Sequence, residues 1–149
     1  MNTSKYFATG IRLGLVSASD VQAWVNSQIQ NTEIPSDELI QLAYAKETDI
    51  HGMFGILSAM PDETDEYDVV RQHLKEIKTE ELNSIEFCWR LTQCLYSVWA
   101  EHDYTAPDDL TAIGFLEDEY RMAANGALGT VEKWHSNFKE FILSLAETS

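Results

Sequence analysis

Apolar residues recur along this chain at the three- and four-residue spacing of an α-helix, and no segment alternates convincingly between apolar and polar residues. The clearest stripe lies near the C-terminus, where Val131, Trp134, Phe138, Phe141 and Leu145 fall on one helical face. Strict alternation is the pattern of a half-buried strand, so its absence argues against a sheet. The sequence therefore predicts an all-α fold of about seven to eight helices with no sheet.

The length and the hydrophobic content both fit one core. The chain has 149 residues, of which 44% are hydrophobic, and we expect one compact helical domain over residues 1–149. The most apolar segment, residues 82–99, has hydrophobic side chains on several sides, as expected for a helix through the centre of a domain. Near the N-terminus, Ser19 and Gln22 have capping-box spacing and predict the start of a second helix.

Net charge is the strongest global feature of the composition. The chain has 25 Asp and Glu against 10 Lys and Arg, a formal net charge of −15. Residues 62–149 hold nineteen of the acids and seven of the bases, which gives this part a net charge of −12. A surface of this sign repels nucleic acid and anionic lipid and attracts basic proteins. We therefore expect a protein partner, with no direct binding of nucleic acid or membrane.

The densest acidic stretch has five carboxylates between Asp62 and Asp68, directly before an apolar pair. It does not fit a calcium loop, because Tyr67 stands where a glycine is needed and His73 where a bidentate glutamate is needed. Carboxylates in the first turn suit the helix dipole, but a helix start does not require five. The stretch predicts an exposed helix start that forms part of a surface for a basic protein.

Three tyrosines, Tyr67, Tyr104 and Tyr120, each have carboxylates next to them or within two residues. Tyrosine with acids is typical of a protein-binding surface, in which the rings anchor the partner and the carboxylates steer it. Amphipathic residues at the edge of the core are an equally good interpretation. The candidate partner-binding residues are Asp62, Glu63, Asp65, Glu66, Tyr67, Asp68, Glu117, Asp118, Glu119 and Tyr120.

The sequence has no phosphate loop, dinucleotide fingerprint, serine-hydrolase elbow or zinc-protease motif. Its four histidines are scattered, with His73 predicted at the surface and His51 predicted beside an apolar stripe. Glu86 is conceivable as a catalytic carboxylate because it lies in the most apolar helix, although a structural pair with Arg90 is the better interpretation. We expect no enzymatic activity, no cofactor and no metal site.

Cysteine use and hydropathy predict a cytoplasmic protein. Cys88 and Cys94 would lie on different sides of one helix, too poorly aimed for a disulfide, and two reduced thiols fit the cytosol. Arg12 interrupts the first apolar run and no small-residue cleavage pattern follows it, so we expect no signal peptide. Uncharged runs such as residues 50–61 reach only twelve residues, too few to span a bilayer.

Two N-terminal segments, residues 6–29 and 34–45, carry a resemblance to a known group of proteins. The matching positions are Gly14, Leu15, Val16, Ser17, Asp20, Val21, Trp24, Pro35, Leu39, Ile40 and Leu42. With these residues the first 57 or so positions resemble small helical immunity proteins of bacterial contact-dependent growth inhibition and related polymorphic toxin systems. The resemblance implies a cytoplasmic protein that binds a cognate toxin C-terminal domain, in many cases a nuclease, and covers its active site or substrate surface. It implies no particular contact residue.

Three other functions remain open at this point. The protein could be a nucleic-acid-mimicking acidic adaptor that binds a DNA- or RNA-binding protein without any toxin partner. It could be a helical enzyme, which would need inward-facing carboxylates such as Glu86. It could also be an acidic helical protein whose charge serves solubility alone. The identity of the partner distinguishes the immunity protein from the nucleic-acid mimic. Burial of the carboxylates tests whether the protein is an enzyme.

Overall fold

The structure is a computed structural model that describes residues 2–147. Within this range the chain forms nine α-helices and one short 3₁₀ helix, Asp108–Leu110, which precedes α8. The α-helices are α1 Ser4–Arg12, α2 Ala18–Gln30, α3 Asp37–Tyr44, α4 Ile50–Ala59, α5 Glu66–Glu76, α6 Thr79–Leu82, α7 Ile85–Glu101, α8 Ile113–Ala124 and α9 Val131–Ala146.

The predicted all-α class is confirmed, since no strand occurs in residues 2–147. The helix count also agrees, because α6 is a single turn and the other eight helices are two turns or longer. The chain divides into two compact units, an N-terminal unit that ends at Val69 and a C-terminal unit that begins at Val70. The division falls inside α5. The prediction of one domain over residues 1–149 stays a prediction.

In the N-terminal unit, α1 packs against α4, and α3 packs against α2 and α4. The buried core of this unit consists of Phe7, Ala8, Val16, Val21, Val25, Leu39, Leu42, Met53 and Leu57. The capping box of α2 is formed by Ser17 and Asp20, so the predicted pairing of Ser19 with Gln22 is wrong. The Ser17 hydroxyl accepts from the Asp20 N–H at 3.2 Å, and Asp20 Oδ2 accepts from the Ser17 N–H at 2.9 Å.

In the C-terminal unit, α7 packs against α6, α8 and α9, as expected for its many apolar faces. Its buried residues are Cys88, Leu91, Thr92, Leu95 and Val98. Aromatic rings join α7, α8 and α9: Tyr120 stacks on Trp89 with centroids 3.9 Å apart and meets Trp134 edge-on at 4.9 Å. Trp134 also donates its indole N–H to the Leu116 carbonyl at 2.9 Å, which fixes α9 against α8.

None of the helices in residues 2–147 combines the length and the hydropathy that crossing a membrane would require.

Candidate protein-binding surface

Asp62, the first carboxylate of the acidic stretch, is a structural hub of the N-terminal unit. Its carboxylate accepts from the Lys5 N–H at 2.9 Å and from the Thr64 N–H and hydroxyl at 3.0 and 2.6 Å. Desolvation raises the pKa of Asp62, but hydrogen bonds from the Thr64 and Thr3 side chains and two backbone amides outweigh it, so the pKa lies well below its ordinary value. Asp62 therefore holds the start of α1 against residues 62–64.

Asp65 and Glu66 also act inside the N-terminal unit. Asp65 Oδ1 accepts from the backbone N–H groups of Tyr67 and Asp68, at 2.8 and 3.4 Å, and so caps the start of α5. Glu66 accepts from the Thr9 hydroxyl at 3.2 Å and pairs with Arg12 at 3.6 Å. These two carboxylates are consequently engaged by their own chain, and their presence needs no partner to explain it.

The remaining candidates of the acidic stretch differ in exposure. Tyr67 is only 6% exposed, because it lies on the inward face of α5 with Val70 and Leu74, one and two turns later. Burial and the charges of Glu66 and Asp65 raise the pKa of the Tyr67 hydroxyl. The expectation that its ring faces a partner is therefore corrected. Glu63 and Asp68 are exposed.

The four candidates on α8, residues 117–120, also differ in exposure and in contacts within the chain. Glu117 pairs with Arg121 at 3.1 Å, and Tyr120 is packed between Trp89 and Trp134. Asp118 and Glu119 are exposed on the outer side of the helix. Tyr120 thus belongs mainly to the edge of the core, whereas Asp118 and Glu119 remain accessible for binding.

A cleft in the C-terminal unit, which we call the aromatic pocket, is lined by the rings of Trp99, Tyr104 and Phe115. Its other lining residues are Thr105, Ala106 and Thr111, and its volume is about 270 Å³. The Tyr104 ring meets Trp99 edge-on with centroids 5.1 Å apart. Tyr104 is 60% exposed and Phe115 is 63% exposed, so both rings are accessible to a partner.

The backbone turns sharply after α7, and this turn brings Tyr104 to the pocket. Asp103 and Tyr104 both adopt the left-handed conformation, with φ of 58° and 60°. The Tyr104 N–H donates to the Trp99 carbonyl at 3.0 Å, and the Thr105 hydroxyl donates to the His102 carbonyl at 2.7 Å. A left-handed bulky residue costs on the order of 1 kcal/mol, and such strain is concentrated at functional sites.

The Trp99 side of the aromatic pocket depends on a glycine. A Cβ atom at Gly114 would lie 2.7 Å from Cζ2 of Trp99, which is closer than real contacts allow. Glycine therefore permits the Trp99 ring to lie against the backbone of α8. Phe115, the next residue of α8, lines the same pocket.

The chain segment that supplies most of the aromatic pocket has acidic residues and no basic ones. From Glu101 to Glu119 the chain has seven carboxylates and no Lys or Arg. One of the seven, Asp109, is neutralised by Arg71 through two contacts of 2.6 and 3.0 Å, and the Arg71 hydrogen bond lowers the pKa of Asp109. Asp103, Asp108 and Asp118 are exposed. A ring-lined cleft with carboxylates close by in the chain suits a cationic or amphipathic side chain of a partner.

Sequence reasoning missed Phe115 and placed Trp99 only at the end of the most apolar segment, residues 82–99. The signal for Phe115 was present, since it lies off the inward stripe of α8 formed by Ile113, Leu116 and Tyr120. Tyr104 was recognised as a ring among acids but was left out of the candidate residues. Its left-handed backbone has no signature in the sequence, because no glycine stands at either position.

Three predictions about catalytic and metal-binding residues can be compared with their positions. His73 is 3% exposed, so its predicted surface position is wrong, and His51 is exposed rather than packed. Glu86 is exposed, and the buried polar residues in the described part of the chain include no Asp or Glu. Across residues 2–147, no group of three or more His, Cys, Asp or Glu side chains is placed to hold a metal ion.

No family model matches the chain, and no curated protein or solved structure is significantly similar to it.

Proposed function

We propose that this protein is a cytoplasmic immunity protein that binds a basic toxin domain and covers its active site or substrate surface. The kind of toxin we propose is a nuclease. The immunity protein acts by binding, without catalysis and without a cofactor. The single observation that carries the proposal is the exposed aromatic pocket within a stretch, Glu101 to Glu119, that has carboxylates and no basic residue.

Charge supports this proposal in both units of the chain. The N-terminal unit, residues 1–69, has eleven carboxylates and three basic side chains, a net charge of −8. The C-terminal unit, residues 70–149, has fourteen and seven, a net charge of −7. A nuclease presents Lys and Arg to phosphate groups, so an acidic inhibitor is attracted to the same surface from a distance.

Exposed aromatic rings can provide the tight binding that charge alone does not. Electrostatic attraction accelerates association, but tight binding usually depends on a few large side chains that become fully desolvated in the complex. Tyr104 and Phe115 are exposed and have carboxylates within two residues in the chain, so they can provide this anchoring area. The purely solubilising interpretation of the charge offers no reason for these rings to be exposed or for the strained backbone at Tyr104.

The resemblance in the N-terminal third points in the same direction, but it concerns positions of the fold. Val16, Val21, Leu39 and Leu42 are buried, and Ser17 caps α2. These positions describe how the N-terminal unit is built, so the surface that meets the toxin must be argued from exposure and charge. We place it on the C-terminal unit because the aromatic pocket lies there.

Affinity capture at low salt, followed by an activity assay of the captured protein, tests the proposal. The bait is the tagged wild-type chain, and the control bait carries Asp118→Lys and Glu119→Lys. We expect one dominant toxin C-terminal domain on the wild-type bait, less of it on the control, and complete loss of its toxic activity at an equimolar ratio.

Three other outcomes would overturn the proposal. Capture of a DNA- or RNA-handling housekeeping protein would favour the nucleic-acid-mimicking adaptor. Recovery of no specific protein on either bait would leave solubility as the explanation of the charge. Capture of a toxin domain whose activity continues in the complex would also exclude neutralisation.

A further inference from the structure

We propose that the aromatic pocket binds one arginine side chain of the basic partner, whose guanidinium group stacks on the rings and meets the nearby carboxylates. The inference rests on the proposed function for the identity of the partner, but its chemistry can be tested without one. It assigns a binding role to Trp99, Tyr104 and Phe115.

The lining of the pocket favours a cation with an apolar stem. Three of its six lining residues are aromatic, and the other three are Thr105, Ala106 and Thr111. The faces of such rings attract a cation placed within about 6 Å of the ring centroid, while the methylene groups of an arginine cover apolar surface. An uncharged apolar side chain would fill the same space, but it would gain nothing from the carboxylates.

The carboxylates close to the pocket in the chain are not used up by the protein itself. Asp103 precedes Tyr104, and Asp118 lies one helical turn after Phe115 and therefore on the same side of α8. Both are exposed, as is Asp108, whose carbonyl accepts from the Thr111 hydroxyl at 3.1 Å. No Lys or Arg lines the pocket, so the positive charge must come from another molecule.

The same unit already contains one arginine bound to a tryptophan ring in this manner. The guanidinium carbon of Arg121 lies 5.3 Å from the ring centroid of Trp89, and its Nε contacts Glu117 at 3.1 Å. Trp89 thus has a cation from its own chain and a carboxylate beside it. Trp99 has the rings and the neighbouring carboxylates, and it lacks the cation.

Guanidinium fits this arrangement better than ammonium. It is planar and weakly hydrated, so it stacks on a ring and donates to a carboxylate at the same time. The ammonium group of lysine is compact and strongly hydrated, and it loses more hydration in a cleft lined by rings. We therefore assign the pocket to arginine.

The test is a titration of the full-length protein with the blocked tripeptide acetyl-Gly-Arg-Gly-amide, followed by the indole N–H signal of Trp99 in nuclear magnetic resonance. The signal is assigned with a Trp99→Phe variant. The matched probe replaces arginine by citrulline, which has nearly the same shape and no charge. We expect a saturable shift with the arginine peptide and binding at least about fivefold weaker with citrulline and with lysine.

Variants at exposed positions locate the binding without unfolding the protein. Tyr104→Gly removes the ring and relieves the left-handed strain, and Phe115→Ala truncates a side chain that is 63% exposed. Each variant should bind the arginine peptide at least about fivefold more weakly than the wild type does. Tyr44→Ala, at a position 86% exposed in the N-terminal unit, should leave binding unchanged.

Equal shifts with the arginine and citrulline peptides, or no loss in Tyr104→Gly and Phe115→Ala, would overturn the assignment. Equal binding of the lysine peptide would overturn the choice of guanidinium. None of these results bears on whether a toxin domain is captured and inhibited, so failure of the pocket and failure of the proposed function are distinguishable.

Discussion

The Trp99 ring lies so close to the backbone of Gly114 that a Cβ atom there would be 2.7 Å from Cζ2 and 2.8 Å from Cε2 of the ring. This contact joins the last turns of α7 to the start of α8. It fixes the Trp99 side of the aromatic pocket, and it depends on the absence of one methyl group.

Gly114→Ala should therefore destabilise the protein. Either the Trp99 ring moves or the two helices separate, and overpacking of this kind costs about 1 to 3 kcal/mol in the free energy of unfolding. The measurement is urea unfolding followed by far-UV circular dichroism.

The matched control for that variant is Gly55→Ala. Gly55 lies within α4, and a Cβ atom there has no neighbour within 4 Å. Alanine has the higher helix propensity, so this change should stabilise the protein by about 0.5 to 1 kcal/mol. If both substitutions shifted stability in the same direction, the Trp99 contact would not be tight.

Asp62→Asn should destabilise the protein at neutral pH by about 1 to 2 kcal/mol, because hydrogen bonds to a carboxylate are stronger than those to an amide. The pKa of Asp62 in the folded protein lies well below its ordinary value of 3.8. A depressed pKa means that the carboxylate contributes its stability above pH 3.8 and loses it progressively as the pH falls below that value.

The difference between wild type and Asp62→Asn should accordingly be largest at pH 7 and smaller at pH 3. Urea unfolding at both values measures it. Glu63→Gln is the control, since Glu63 is exposed and the change should stay within about 0.5 kcal/mol. A difference that grew towards pH 3 would contradict the structural role of the Asp62 carboxylate.

Trp24 and Trp134 form a matched pair that separates a satisfied indole N–H from an unsatisfied one. Trp24 Nε1 is buried without a hydrogen-bond partner, whereas Trp134 Nε1 donates to the Leu116 carbonyl at 2.9 Å. Trp134→Phe loses that bond, while Trp24→Phe removes a donor that has no partner.

We expect Trp134→Phe to cost about 1 to 2 kcal/mol more than Trp24→Phe in the free energy of unfolding. The smaller exposure of Trp134, 3%, adds to the difference in the same direction. Chemical unfolding monitored at a helical wavelength avoids dependence on the fluorescence of the substituted residue. An equal or larger cost for Trp24→Phe would indicate that its N–H is satisfied in solution.

The helical class could be predicted because helical spacing is local in sequence. Of the stripe predicted for α9, Trp134, Phe138 and Leu145 are buried, whereas Ile142 is buried in place of the half-buried Phe141. The roles of the acidic stretch could not be predicted in this way. Asp62 and Glu66 meet Lys5 and Thr9 across 57 residues of sequence, so a dense run of carboxylates looked like a surface while two of its members were held by α1.

The aromatic pocket shows a second limit of sequence reasoning. Tyr104 and Phe115 are eleven positions apart, and neither lies on a helix stripe that would indicate their meeting with Trp99. The turn at Asp103 and Tyr104 has left-handed backbone at two non-glycine residues, against the preference from which turns are predicted. Only the folded backbone places these rings on one cleft.

Association with the basic partner should depend on where the carboxylates lie as well as on how many there are. Asp118→Lys with Glu119→Lys raises the net charge from −15 to −11, and so does Glu33→Lys with Glu47→Lys in the N-terminal unit. All four residues are exposed, so both double variants should remain folded. The two double variants therefore have the same net charge and differ only in where the charges are reversed.

Stopped-flow mixing with the captured toxin domain at low ionic strength measures the association rate. The reversal at Asp118 and Glu119 should slow association about tenfold or more and flatten its dependence on salt, because steering acts most strongly on charges near the contact. The reversal at Glu33 and Glu47 should slow it only a few fold. Equal effects would mean that the binding surface does not lie on this side of α8, and a larger effect at Glu33 and Glu47 would place it on the N-terminal unit.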